Sequence, residues 1–172
     1  ESTLLYDNVG GVLQFLYPCT GGALTGLWTV AAPSTGAWHH VVVTLNISSV
    51  ANDPLIYLDG VSVAVTEVLA PVTAYLDGTG ALVFGNRESD NARVFNGRLA
   101  EGAIWSRILS AAEPAQLFAG ASPRTMATGL LDFIPMLVTD VPVKSCVLGA
   151  PTVSGTAVQP HPYVSYGCGA AR

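Results

Sequence analysis

The feature that most constrains the fold is a series of short, β-branched segments separated by turn residues. Residues 39–45 (His-His-Val-Val-Val-Thr-Leu) and 55–58 precede Asp59-Gly60, a dipeptide that adopts the positive φ angles of a tight hairpin. Residues 61–65 then follow as the returning strand. Strands of this length and spacing predict an antiparallel sandwich or a barrel.

Further strands are predicted on the same grounds, at residues 11–17, 28–30, 81–84 and 97–105. One short helix is expected near residue 113, because Ser110 and Glu113 have the spacing of a capping box and Gly120 provides a stop signal. The residues therefore predict an all-β fold class with a single short helix.

Ionisable residues are scarce. Asp, Glu, Lys and Arg make up 11% of the 172 residues, against about 25% in a typical soluble domain. A surface with so little charge favours an interface with a partner, and a neutral surface rich in serine and threonine is the alternative. The net charge is −5 and Lys144 is the single lysine, so nucleic-acid binding is excluded. No apolar run approaches about 18 residues, so we predict no membrane insertion.

The chain has three cysteines, Cys19, Cys146 and Cys168. An odd number argues against a disulfide framework, although the spacing leaves a pair between Cys146 and Cys168 open. No Cys/His cluster has the spacing of zinc ligands. We interpret the three thiols as reduced or incidental.

The residues give no pattern of nucleophilic catalysis. The G-x-S-x-G motif, which places a nucleophilic serine on a sharp turn, is absent from the sequence. His39 and His40 are adjacent, so on a strand their side chains point to opposite faces. No acidic residue lies near them in sequence to complete a triad. We therefore predict structural roles for both histidines and no catalytic residues.

Four short segments of the sequence resemble, in the same order, the strand motifs of laminin-G-like, concanavalin-A-like jelly rolls. They are Gly-Ala-Trp-His-His-Val-Val-Val-Thr at residues 36–44, Ile-Tyr-Leu-Asp-Gly at 56–60, Leu-Val-Phe-Gly-Asn at 82–86, and residues 95–110. The resemblance covers about residues 4–120 and implies an antiparallel β-sandwich of the jelly-roll type. The family's opening strands are not matched. We expect them upstream of Glu1 or replaced, with this chain a processed product or part of a longer one.

The resemblance also indicates which site residues to consider. Hydrolytic relatives carry an E-x-D-x-x-E strand, of which Glu88 and Asp90 match the first two acids, while Arg93 occupies the third position. An enzyme is therefore not expected. Some relatives bind calcium at the sandwich rim, and Asn86, Glu88 and Asp90 form the densest run of loop oxygens here. The alternative is a solvated polar loop, and no other cofactor is expected.

A glycan site or an interface would use exposed aromatic side chains beside the rim loops, residues 76–80 and 86–93. The candidates are Trp28, Tyr75, Tyr163 and Tyr166. Trp28 lies among small and apolar residues, so a place in the core is its alternative. Glu101, at an acidic position of the family motif, is expected to anchor a strand or a turn.

The C-terminal part resembles the tails of laminin-G-like phage proteins in residues 129–135 and 155–162. We therefore divide the chain into a jelly-roll domain, residues 1–120, and a Pro-rich extension, residues 121–172, that docks or oligomerises. The implied function is a non-enzymatic structural or attachment module on a virion surface, in contact with other virion proteins or with copies of itself. The alternative is a carbohydrate-binding adhesion module of a larger secreted or tail protein, with cell-surface glycans as ligands.

Overall fold

A computed structural model describes residues 3–7, 10–20, 26–76, 84, 95 and 97–135 of the chain. Within these ranges lie nine strands, one α-helix and one 3-10 helix. They are β1 (Thr3–Asp7), β2 (Val12–Tyr17), β3 (Gly26–Ala31), β4 (Val41–Thr44), β5 (Leu55–Leu58), β6 (Val61–Val63), β7 (Thr66–Leu69), β8 (Gly102–Trp105), α1 (Glu113–Phe118), the 3-10 helix (Pro123–Met126) and β9 (Leu130–Ile134). No helix in the described part of the chain has the length and hydropathy needed to cross a bilayer.

The chain forms two compact units. The first comprises Glu1–Gly80 and Ile108–Ala119, and the second comprises Ala81–Arg107 and Gly120–Arg172. The first unit contains a four-stranded sheet in the order β1-β2-β3-β7 and a three-stranded sheet in the order β4-β5-β6, and all pairings are antiparallel. The predicted all-β, antiparallel fold class is confirmed.

One apolar core joins the two sheets of the first unit. Leu13 and Phe15 of β2 alternate with half-buried neighbours, as do Trp28 and Val30 of β3, so each strand turns one face inward. These four side chains pack in one cluster with Ile56 of β5, which is fully buried. Because the cluster takes residues from both sheets, the sheets face each other as a β-sandwich.

The predicted hairpin is present between β5 and β6. Asp59 has a φ of 51° and Gly60 has a φ of 79°, which is the signature of a type I′ turn. The returning strand is shorter than predicted, since β6 ends at Val63. Two residues later the chain enters β7 and pairs with β3 in the other sheet.

The helix begins two residues later than a capping box with Ser110 as N-cap predicts. The Glu113 carboxylate accepts a hydrogen bond from the Ser110 N–H at 2.6 Å, so half of the box forms. Pro114 is tolerated only in a first turn, where its missing N–H has no partner to lose, and the helix accordingly starts at Glu113. Its Leu117 side chain is buried.

The second unit contains the antiparallel pair β8–β9. The predicted strand over residues 97–105 is reduced to its last four residues, because Glu101 has a φ of 54°, which interrupts extended backbone. The Trp105 indole N–H donates to the Met126 carbonyl at 2.9 Å, and the Arg107 Nε–H donates to the Thr128 carbonyl at 2.7 Å. These bonds fix the segment that leads into β9.

Several sequence predictions lie outside the described residues. They include most of the predicted strand over residues 81–84, the cysteines Cys146 and Cys168, and the extension beyond residue 135. Cys19 is described and its thiol is buried; its reduced state stays a prediction.

Candidate functional site

Trp28 is a core residue and offers no surface to a ligand. Its indole is fully buried, and its ring lies 5.9 Å from that of Phe15, its cross-strand partner. The indole N–H donates to Asp53 Oδ1 at 2.8 Å. The prediction of Trp28 as a stacking platform is therefore wrong. Alternation along β3 places Trp28 on the inner face of the sheet.

Tyr75 is half-buried at the edge of the first unit. Its hydroxyl donates to the Asn52 carbonyl at 3.1 Å, and its ring meets that of Tyr17 edge-on at 5.2 Å. Burial, together with the negative charge of Asp53, raises the pKa of the Tyr75 hydroxyl, which therefore stays a donor. Of the predicted aromatic candidates, Tyr75 alone is both described and accessible, since Tyr163 and Tyr166 lie outside the described residues.

The predicted calcium ligands Asn86, Glu88 and Asp90 also lie outside the described residues, as do the rim loops except Leu76. Within the ranges that the structure describes, no three His, Cys, Asp or Glu side chains come together as a metal site would need. The calcium site stays a prediction.

The structure brings together three polar side chains that the sequence left apart. His39 Nδ1 lies 2.8 Å from Asp59 Oδ2, and His39 Nε2 lies 3.0 Å from Ser34 Oγ. The imidazole thus bridges a carboxylate and a hydroxyl through its two nitrogens. The expectation that His39 has no acid partner is wrong, because the β4–β5 pairing carries Asp59 back to it across 20 residues of sequence.

Asp59 is held in place by the backbone as well as by His39. Its Oδ1 accepts from the His40 N–H at 2.9 Å, and its own N–H donates to the His40 carbonyl at 2.8 Å. Partial burial works against ionisation, but the bonds from His40 and His39 outweigh it and lower the pKa of the Asp59 carboxyl. Asp59 is therefore an ionised acceptor at neutral pH.

His40 has a structural role, as predicted. Its ring lies 6.3 Å from that of Phe118 on α1, and its Nδ1 is buried without a hydrogen-bond partner in the described part of the chain. Burial lowers the pKa of His40, although the charge of Asp59 opposes this. The two adjacent histidines thus have different tasks, and only His39 connects polar side chains.

The outward positions of β2 and β3 form a neutral surface, which together with Leu69 of β7 we call the leucine face. β7 also carries the exposed carboxylate of Glu67. Leu16, Leu27 and Leu69 are direct neighbours across β2, β3 and β7 and lie in one row. Leu69 is 40% exposed. The outward positions of β2 and β3 carry no charge; they are Val12, Gln14, Leu16, Leu27, Thr29 and Ala31.

Glu101 immediately precedes β8 in a left-handed conformation, which agrees with its expected place at a turn. Its Oε1 is buried and has no hydrogen-bond partner among the described residues. Burial raises the pKa of the Glu101 carboxyl. The strand-start position is thus an unfavourable place for a charge.

A family model described as the concanavalin A-like lectin/glucanases superfamily, of the laminin G type, matches residues 2–113. Neither a search of curated proteins nor a search of solved structures finds a significant match. The matched region contains the whole first-unit sandwich, β1 to β7, and the start of α1.

Proposed function

The chain belongs to the concanavalin A-like lectin/glucanase superfamily, and on that premise we propose that it is an attachment module that acts through protein–protein contacts at a virion surface. A domain of this superfamily is compatible with a structural or a carbohydrate-binding module. The observation that carries the proposal is the leucine face, a neutral sheet surface on the side opposite the core.

The partner we propose for the leucine face is a second copy of this chain. Three leucines in register across three strands remove apolar area from water when a flat surface covers them. Two such faces can meet without burying an unpaired charge, because their outward positions on β2 and β3 are neutral. A chain with a net charge of −5 also repels a copy of itself everywhere except at a neutral surface.

Two further apolar side chains are exposed outside the row of leucines. Val61 of β6, on the three-stranded sheet, is 66% exposed, and Val68 of β7 is 57% exposed. Single exposed hydrophobic residues are ordinary, so the proposal rests on the row of leucines and on the low charge of the whole sequence, 11%.

The experiment is the solution mass of the full chain by light scattering. We expect an assembly of two or more chains, and we expect Leu69→Asp to dissociate it, because a carboxylate at the centre of the contact would be desolvated. Ser48→Asp is the matched control, since it adds the same charge to an exposed loop. A monomeric wild-type chain, or a Leu69→Asp variant that assembles as well as Ser48→Asp, rejects the proposal.

Carbohydrate binding is the second candidate, favoured by the half-buried Tyr75 ring beside polar groups. The Asn52 carbonyl accepts from the Tyr75 hydroxyl at 3.1 Å, and the Thr73 hydroxyl, two residues before the ring in sequence, donates to the Thr20 carbonyl at 2.6 Å. Sugars stack on such rings while their hydroxyls bond to neighbouring oxygens. A glycan array probed with the wild-type chain and two variants tests carbohydrate binding. Tyr75→Ala removes the whole ring, whereas Tyr75→Phe removes only the hydroxyl.

A further inference from the structure

We propose that Ser34 is an activated nucleophile that takes acyl groups from small uncharged esters, with His39 as its general base. This activity is separate from attachment through the leucine face. Among the described residues, hydrogen bonds link one serine, one histidine and one aspartate in this order, and the proposed activity uses these three.

The distances are those of a nucleophile and its base. Ser34 Oγ lies 3.0 Å from His39 Nε2, inside the range of about 2.6–3.2 Å over which a side-chain base takes a proton. On the far side of the ring, Nδ1 lies 2.8 Å from Asp59 Oδ2. The carboxylate and the hydroxyl therefore contact opposite nitrogens of the imidazole, as a proton relay to serine requires.

Asp59 determines which nitrogen carries the proton. A carboxylate that is ionised can only accept, so His39 Nδ1 must hold the hydrogen and Nε2 must present its lone pair to Ser34. The His40 N–H bonded to Asp59 Oδ1 at 2.9 Å prevents the carboxylate from rotating away. Asp59 is thus a positioning residue that acts through His39.

Substrate can reach the site. Ser34 is exposed, and the His39 side chain keeps 20% of its surface accessible. The net charge of −5 disfavours the approach of anionic esters. Esters without a negative charge are therefore the substrate class, and an uncharged one serves as the probe.

The reaction has two balanced steps. Ser34 Oγ attacks the ester carbonyl carbon while its proton passes to His39 Nε2; the bond from that carbon to the alkoxy oxygen breaks, and His39 returns the proton to the leaving alcohol. Water then attacks the acyl carbon and gives a proton to His39. The acid leaves as Ser34 Oγ recovers that proton.

The probe is p-nitrophenyl acetate, because its leaving group departs without protonation and the rate then reports on the nucleophile. We expect the intact chain to gain one acetyl group, which peptide mass mapping assigns to Ser34. Ser34→Ala abolishes this product and Ser48→Ala, a matched exposed serine, keeps it. His39→Gln slows acetylation at least about 100-fold, the usual contribution of a general base.

The pH profile separates chemistry from structure. Acetylation of Ser34 should fall when the medium is made acidic, because an imidazole accepts a proton only when it is neutral. Asp59→Asn should lower and flatten this profile while the circular dichroism spectrum stays native. Acetylation of Ser34 no faster than that of Ser48, or a His39→Gln variant as fast as wild type, overturns the proposal.

Discussion

The Trp28 indole N–H donates to Asp53 Oδ1 at 2.8 Å, so a fully buried side chain of β3 holds an exposed carboxylate of the loop before β5. The same loop is bonded from a second side by the Tyr75 hydroxyl, which reaches the Asn52 carbonyl. The core of the sandwich thereby fixes the conformation of a surface loop.

Removing this bond should destabilise the fold. We expect Trp28→Phe to lower the free energy of unfolding by about 2–4 kcal/mol, through the lost charge-assisted hydrogen bond and the smaller ring. Asp53→Ala should cost about 1–3 kcal/mol, because it leaves the indole N–H buried without a partner. The measurement is denaturant unfolding, and the double variant should lose less than the sum. Strict additivity would show that the two residues are not coupled.

The stability contributed by Asp59 should depend on pH. Its folded pKa lies below the ordinary value of 3.8, so the contribution is fully present above pH 3.8 and is lost as pH falls through the folded pKa. Asp59→Asn keeps the turn, since asparagine suits a type I′ hairpin, but lacks the charge. Unfolding curves of the two proteins should differ at neutral pH and converge in acid. A constant difference at all pH values would contradict this.

Glu101→Gln should stabilise the protein at neutral pH. Burial raises the folded pKa of Glu101 above the ordinary value of 4.5, so the unfolded chain ionises first and rising pH favours unfolding. The gain from glutamine should be absent below pH 4.5 and should grow as the pH rises through the folded pKa of Glu101. Glu67→Gln, at an exposed carboxylate of β7, is the control and should bring no comparable gain. Melting temperatures across this pH range provide the measurement.

Gly60→Ala should destabilise the protein more than Gly11→Ala. Both glycines have positive φ, 79° and 66°, so both variants suffer a backbone penalty of about 1 kcal/mol. A Cβ at Gly60 would also lie 3.0 Å from the Ala115 Cα and 3.1 Å from the Phe118 Cβ, whereas a Cβ at Gly11 meets nothing within 4 Å. Thermal unfolding of the pair isolates the contact between hairpin and helix. Equal losses would mean that the helix moves aside freely.

A chain that ends after Pro135 should still assemble, because the leucine face lies on β2, β3 and β7. The cut is placed there because β9 ends at Ile134 and pairs with β8, so a deletion from residue 121 would remove a strand. Light scattering together with circular dichroism distinguishes the outcomes. A truncated chain that folds but is monomeric would place the contact in residues 136–172, the part of the extension that the sequence predicts to oligomerise, and would contradict the leucine face as the contact.

The hairpin and the inner strands were predictable because each depends on local chemistry. Asp59-Gly60 dictates its turn through backbone angles, and alternation dictates the faces of β2. The Ser34–His39–Asp59 arrangement was not recognised, because it depends on pairing rather than on neighbours in sequence. Counting back from the hairpin turn, with Val41 opposite Leu58, would have placed the histidines beside Asp59.

Other features depend on tertiary context that a single sequence does not carry. Trp28 lies between apolar residues of β3, and alternation alone does not say which face of that strand is covered. The end of β6 at Val63 was missed for a similar reason, since valine-rich sequence continues past it. The chain leaves the three-stranded sheet after β6 because β7 pairs with the edge of β3 in the other sheet.

The two-residue link between β6 and β7 sets the order in which the sandwich can assemble. β5 and β6 close through a two-residue turn, at little cost in chain entropy. Once β5 and β6 pair, β7 (residues 66–69) lies close to β3, although more than thirty positions separate β3 from β7 along the chain. Formation of the local hairpin thus shortens the chain segment that must close to bring β7 to β3, so the Asp59 turn lowers the entropic cost of joining the two sheets.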